Sequence, residues 1–151
     1  MEDRRAPRAN SAAVPPSDTI LVVDDDETCC FLLKRSIQKT GFDQQIITAH
    51  TGLEALQKLQ ALAAAGDKLP GFIFLDIKMP VMNGFDFLEE VTHLAELNLS
   101  QTRIYMCTSS AYPKDKEQAC LYPIAGFLTK PLTHEALYGI LVEGYWAQNL
   151  R

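Results

Sequence analysis

The sequence predicts a doubly wound α/β domain, a five-stranded parallel sheet in the order 2-1-3-4-5 with helices on both faces. Three observations predict it. Short apolar runs alternate with helix-length amphipathic stretches five times within about 130 residues, the rhythm of successive βα units. The runs are continuously apolar, as strands covered on both faces are. Each stretch between them is long enough to form the helix that a parallel, right-handed crossover requires.

Taken in order, Thr19–Val23 (TILVV) is the first strand, and Glu27–Thr40 the first helix, with Phe31, Leu32, Arg35 and Ile37 at mixed helical spacing. Gly41 follows as a helix stop. Gln45–Ala49 is the second strand. Thr51–Ala65 is a helix opened by threonine, with Leu53, Leu56, Leu59 and Leu62 recurring every third position and Gly66 at its end. Phe72–Leu75 (FIFL) is the third strand, and Gly84–Leu97 a helix that gathers Phe85, Leu88, Val91 and Leu94 on one face. Ile104–Cys107 is the fourth strand. Pro113–Leu121 is a short helix with proline in its first turn and Ser109 or Ser110 as candidate caps. Gly126–Leu128 is the fifth strand, and Thr133–Ala147 the last helix, capped by Thr133.

The 151 residues suit one domain, and 47% apolar composition suffices for a core. Residues Met1–Ser17, rich in Ala, Pro, Arg and Ser, read as a disordered tail ahead of a domain over 18–151. Fourteen basic against nineteen acidic residues argue against a nucleic-acid or lipid-surface binder. The longest uncharged stretch, Gln118–Thr129, is twelve residues and contains Pro123, so no segment spans a bilayer. The N-terminus lacks the apolar core of an export signal, and the expectation is a cytoplasmic protein. Four cysteines without C-x-x-C or histidine at ligand spacing read as buried free thiols, not a zinc site. His50, His93 and His134 read as surface or capping residues.

The informative residues sit where strands end. Asp24-Asp25-Asp26 follows the first strand, Asp76 the third, Thr108-Ser109-Ser110 the fourth and Thr129-Lys130-Pro131 the fifth. A doubly wound sheet brings these ends to one crevice, where the first and third strands diverge. Carboxylates gathered there repel one another unless a cation intervenes, and an all-oxygen set suits Mg2+ or Mn2+. Metal, lysine and hydroxyl together make a place for a phosphoryl group. Each residue alone has a structural explanation, Asp26 as a helix cap for example. Four strand ends of complementary chemistry do not.

ILVVDDDE, FIFLDIKMPVMNGFDFL, IYMCTSS and GFLTKPLT occur in that order, with 32 residues from Asp76 to Thr108 and 22 from Thr108 to Lys130. In these the chain resembles a response-regulator receiver domain, the CheY-like phosphoacceptor module of two-component signalling, and in particular the stand-alone kind. The resemblance implies a flavodoxin-like (βα)5 fold. It implies that Asp76 takes a phosphoryl group from a phosphohistidine of a sensor histidine kinase or phosphotransfer protein. Asp24, Asp25, Asp76 and the backbone carbonyl of Lys78 would hold Mg2+, Thr108 and Lys130 would bind phosphoryl oxygens, and Lys130-Pro131 would be cis. Gly84 would serve a tight turn after the acceptor loop. Thr108, with Ser109 as the fallback hydroxyl, and Phe127 would form the switch that a downstream protein reads. Lys78 is a long cation where many receivers carry a polar residue, and Ser110 is small and neutral, so both bear on how long a phosphoryl group survives. The length leaves no room for an output domain, so the signal is expected to pass by protein contact or onward phosphorelay. Trp146, Tyr145 and Leu150 read equally as a homodimer patch or as the packed face of the last helix.

Two other readings compete. Asp24-Asp25-Asp26-Glu27-Thr28 spells D-x-D-x-T, the nucleophile motif of haloacid-dehalogenase-type phosphatases, which would make Asp24 and Asp26 the reacting pair. Those enzymes need a further acidic cluster after the lysine, where this chain has only Glu135 and Glu143, and they leave Asp76 idle. A phosphorylation-independent adaptor on the same scaffold would have no use for the complete acidic, hydroxyl and lysine set.

Overall fold

The computed structural model describes residues 19–109 and 112–142. Five strands, β1 (Ile20–Val23), β2 (Ile46–Ala49), β3 (Phe72–Asp76), β4 (Arg103–Thr108) and β5 (Gly126–Thr129), form one sheet in the order β2-β1-β3-β4-β5. Every pairing is parallel. The expected topology is the observed one.

Alternation along the strands builds two cores. Ile20, Val22, Phe74, Tyr105 and Cys107 face α1 (Glu27–Lys39) and α5 (His134–Leu141), which contribute Cys30, Ile37, Leu137 and Ile140. Leu21, Val23, Ile73, Leu75 and Met106 face the other way, toward α2 (Gly52–Ala64), α3 (Gly84–Thr92) and α4 (Pro113–Ala119). Both faces are covered, which is why the strands read as unbroken apolar runs.

Several elements depart from expectation. Helix α3 stops at Thr92 instead of Leu97: the His93 N–H turns back to the Glu90 carbonyl and the Leu94 N–H to that of Val91, and Leu97 N–H closes a further turn on Leu94. Leu94 and Leu97 still pack against the core from that turn, so apolar spacing outlasts the helix. In α2, Leu56 and Leu59 are buried, but Leu53 is exposed and Leu62 half-buried. A three-residue repeat drifts around a helix of 3.6 residues per turn, so four such leucines cannot share one face. Phe31 and Leu32 on α1 are exposed, at 61% and 54%. Helix α4 starts from Tyr112 with no side-chain cap, not from Ser109 or Ser110; Ser109 is exposed, and Ser110 lies outside the described residues. Cys30 and Cys107 are buried thiols, but Cys29 is only half-buried and Cys120 exposed. The N-terminal residues 1–18, the expected continuation of the last helix to Ala147, and Tyr145, Trp146 and Leu150 also lie outside the described residues. Among the described residues no helix is long and apolar enough to cross a membrane.

Candidate functional site

The site forms where parallel strands release their carboxyl ends side by side. Leaving β1, Asp24 hydrogen-bonds by its N–H to the Ala49 carbonyl at the end of β2 (3.0 Å). Its carboxylate is buried and accepts the N–H of Asp26 at 3.0 Å, which folds the acidic run into a turn. The carbonyl of Asp24 accepts from the Cys30 thiol at 3.3 Å and lies 3.2 Å from His50 Nδ1. His50 is therefore half-buried and braces the acidic turn, a role its position in the sequence does not signal.

Asp26 goes another way. Its Oδ1 accepts the N–H groups of Thr28 (2.8 Å) and Cys29 (3.3 Å), capping α1. Those two bonds, Cys29 first, hold its carboxyl below the usual range. The acidic triplet is thus divided between a helix cap and a crevice.

Asp76 is the last residue of β3, in register with Cys107 of β4, and its side chain is 12% exposed. Carboxylate oxygens of Asp24, Asp25 and Asp76 all lie within 4.8 Å of one another. Lys130 enters from the end of β5, where its N–H donates to the Thr108 carbonyl at 2.7 Å. Its ammonium donates to Asp24 Oδ2 and stands 3.5 Å from Asp76 Oδ1. Burial pushes the Asp76 carboxyl up to about 6; Lys130 pulls it down, and the charges of Asp24 and Asp25 push it up again. For Lys130, burial acts downward, but the Asp24 hydrogen bond and the Asp76 charge outweigh it and raise the ammonium.

Three carboxylates and one ammonium leave a net charge of about −2 in a half-buried crevice, which a hard divalent cation would balance. The donors are oxygens, as Mg2+ prefers, and receiver domains bind Mg2+ at such an acidic pocket.

The remaining expected residues lie on the same strands or in the segments that follow them. Thr108 ends β4, buried, in register with Thr129, while Ser109 is exposed beyond it. Phe127 is half-buried in β5 beside Met106 and packs on the core that faces α2–α4. Lys130-Pro131 is cis. Lys78, two residues past Asp76, is exposed, and its ammonium lies 5.1 Å from the centre of the Tyr112 ring.

Gly84 has a different part from the one expected. It is the first residue of α3, and a Cβ there would stand 2.6 Å from the Asp76 carbonyl oxygen, so glycine lets the helix start against the end of β3. The helix is held by a capping box: Asn83 Oδ1 accepts the Asp86 N–H, and Asp86 accepts the Asn83 N–H. The loop from Asp76 to Asn83 also contains Val81 at φ 69°, with the Met82 N–H bonded to the Pro80 carbonyl at 2.7 Å. Beside the carboxylates a cavity of about 360 Å3 opens between α1 and the segment after β5, lined by Asp24, Cys29, Leu32, Leu33, Lys130 and Leu132.

Residues 20–141 match the response regulator receiver domain family model. Protein PilG of Pseudomonas aeruginosa is 30% identical over 105 residues, 70% of either chain. Among solved structures, a two-component response regulator from Cytophaga hutchinsonii superposes with a TM-score of 0.74 at 29% identity, covering 83% of this chain and 96% of that one. The chemotaxis protein CheY4 of Vibrio cholerae gives 0.68 at 28% identity, covering 86% and 98%.

Proposed function

Because this chain belongs to the response-regulator receiver family and has its CheY-like architecture, we propose that Asp76 is its phosphoacceptor and that the signal leaves by protein contact or onward phosphorelay. One observation carries the reading. The carboxylate of Asp76 stands at a strand end, partly exposed, between two further carboxylates and the ammonium of Lys130.

An Asp76 oxygen attacks the phosphorus of a phosphohistidine in line, and the nitrogen–phosphorus bond breaks as the acyl phosphate forms. Asp24, Asp25, Asp76 and the Lys78 carbonyl would hold Mg2+, which when bound would supply charge neutralisation at the phosphoryl oxygens. Lys130, already beside Asp76, turns to a phosphoryl oxygen, and the Thr108 hydroxyl takes another. A new phosphoryl group brings about 1.5–2 negative charges. Drawing Thr108 toward it frees space for Phe127 to turn inward, which alters the surface of α4, β5 and α5. Burial and the acidic neighbours raise the Asp76 carboxyl, and Lys130 beside it pulls toward the ionised, nucleophilic form.

Receiver domains interact with sensor kinases or phosphotransfer proteins, and the exposed Leu32, which lines the 360 Å3 cavity, with Phe31 next to it in the chain and also exposed, offers apolar surface for such a donor. Residues 18–151 then act as the receiver unit and 1–17 as its tail, in a cytoplasmic protein whose downstream target is another protein, with a homodimer as one form of the output. The phosphatase reading loses its second aspartate, since Asp26 is engaged in capping α1.

Incubation with acetyl phosphate and Mg2+, followed by intact-mass measurement, tests this. One phosphoryl mass is expected on the wild type and none on Asp76→Asn or in the presence of a chelator. No gain on the wild type, or a gain that survives Asp76→Asn, overturns it.

A further inference from the structure

The ladder between β1 and β2 ends where Val23 pairs with Ala49, and the bond from Asp24 N–H to the Ala49 carbonyl (3.0 Å) is its last rung. Past that rung a side chain takes over. His50 Nδ1 lies 3.2 Å from the Asp24 carbonyl oxygen, which can only accept, so Nδ1 carries the proton and donates. The Cys30 thiol is a second donor to that oxygen, at 3.3 Å, and a weak one. The histidine is anchored from behind. Its N–H donates to Glu54 Oε1 at 2.8 Å in the first turn of α2, and Glu54 pairs with Lys58 at 3.3 Å. Two carboxylates flank the peptide held in this way. That of Asp24 is fixed already by the Asp26 N–H and by Lys130. That of Asp25 is exposed, and among the described residues no hydrogen bond or ion pair directs it, so its backbone does. Asp25 spans two fixed points, the Asp24 carbonyl on one side and the Asp26 cap of α1 on the other.

We propose that His50 is a positioning residue for the divalent cation: by holding the Asp24–Asp25 peptide it aims the Asp25 carboxylate into the crevice and sets the affinity for Mg2+. This rests on Asp24 and Asp25 being ligands of that ion, as in the function proposed above. With the donor in place, oxygens of Asp24, Asp25 and Asp76 stand within 4.8 Å of one another despite their mutual repulsion. The fold thus meets the cost of gathering the ligands before a cation arrives. Without the donor only the Cys30 thiol holds the carbonyl, and the peptide is free to rotate. Asp25, the one exposed member of the three, then swings toward solvent, where its charge is better hydrated. His50 touches neither the ion nor a phosphoryl group and acts only through this peptide.

The test is the dissociation constant of the folded protein for Mn2+, read from free Mn2+ by electron paramagnetic resonance, and for Mg2+ by competition. It is measured on the wild type, His50→Leu, His50→Ala and His50→Asn. Loss of a hydrogen bond behind a metal ligand predicts Mg2+ binding about tenfold weaker in His50→Leu. His50→Ala carries the same expectation should the leucine variant fail to fold. His50→Asn, whose amide nitrogen reaches the place of Nδ1, should bind as the wild type does. Urea midpoints without metal accompany each titration, since a merely structural histidine lowers the midpoint and leaves the affinity of the folded protein unchanged. Wild-type affinity in the leucine and alanine variants, or an asparagine variant as weak as they are, overturns the proposal. A wild type that binds neither ion, or binds them no better than Asp25→Asn does, overturns the ligand assignment instead, which separates the two failures.

Discussion

From Ile20 to Val23 every side chain is buried and apolar; one residue further on, Asp24 is a buried charge. That step divides the molecule. The interior of the sheet obeys the rules of stability, with two apolar faces covered by five helices and bulky side chains such as Phe74 and Phe87 fully enclosed. Its carboxyl rim breaks them. Three carboxylates crowd around one lysine, a β-branched residue sits at positive φ, and a helix begins without a side-chain cap. Such departures concentrate where structure serves something other than its own stability. The interior is what holds the rim in an arrangement the rim would not adopt alone.

The contrast is broken most severely from inside. Phe87 on α3 is fully buried against the sheet, and Phe87→Ala removes most of a ring from a close-packed site. We expect a loss of about 3–5 kcal/mol in urea unfolding, enough to leave the domain marginal. A loss below about 1 kcal/mol would mean that the interior tolerates cavities and does not underwrite the rim.

The rim responds in the opposite direction. Asp76→Asn removes the proposed phosphoacceptor and also one of the crowded charges. The Asp76 carboxyl lies near 6 in the fold against an ordinary 3.8. The folded protein therefore binds a proton more readily than the unfolded chain between those values, and it loses stability as pH rises through that window. With the 3.5 Å pairing to Lys130 forfeited as well, the asparagine variant should be more stable near pH 7 by about 1–3 kcal/mol, toward the lower end. The advantage should fade as pH falls through the same window and vanish below it, where the wild-type carboxyl is protonated in both states. Excess Mg2+ should stabilise the wild type and leave the variant comparatively unmoved. Denaturant midpoints at pH 4, 6 and 7.5 check the sign; an asparagine variant less stable than the wild type at pH 7.5 would show that the Lys130 pairing outweighs the crowding.

The difference between the two regions also explains what could be read in the sequence. Alternating apolar runs reveal β1 to β5 because burial on both faces leaves little choice of residue, and the topology follows from their spacing. That Asp24, Asp25, Asp76 and Lys130 come together is legible because strand ends are recognisable and these residues carry unusual chemistry there. What escaped depends on contacts distant in the chain. The half-buried His50 meets Asp24 across 26 positions, and Gly84 is required by the backbone of Asp76, not by a turn. Tyr112 carries no capping signal and meets Lys78 across 34 positions (112 − 78). Apolar spacing misled where residues pack from a turn, as Leu97 does, or lie exposed on the helix, as Phe31 and Leu53 do.

Val81 sharpens the comparison at the smallest scale. Its φ of 69° places a β-branched side chain in the left-handed region, 90% exposed, at the tip of the loop between Asp76 and α3. No packing recovers that cost, which is of order 1–3 kcal/mol for a strained backbone of this kind. Glycine adopts the conformation freely, although it also gains entropy in the unfolded chain, so Val81→Gly should stabilise the protein by a net of about 1 kcal/mol. Val81→Ala removes the branch but keeps the Cβ, and should recover only part of this. The ordering glycine, alanine, valine in urea midpoints would place stored strain in the loop that presents the Lys78 carbonyl. Three equal midpoints would mean that the loop bends without cost, and that the rim departs from the interior in its charges and caps but not in its backbone.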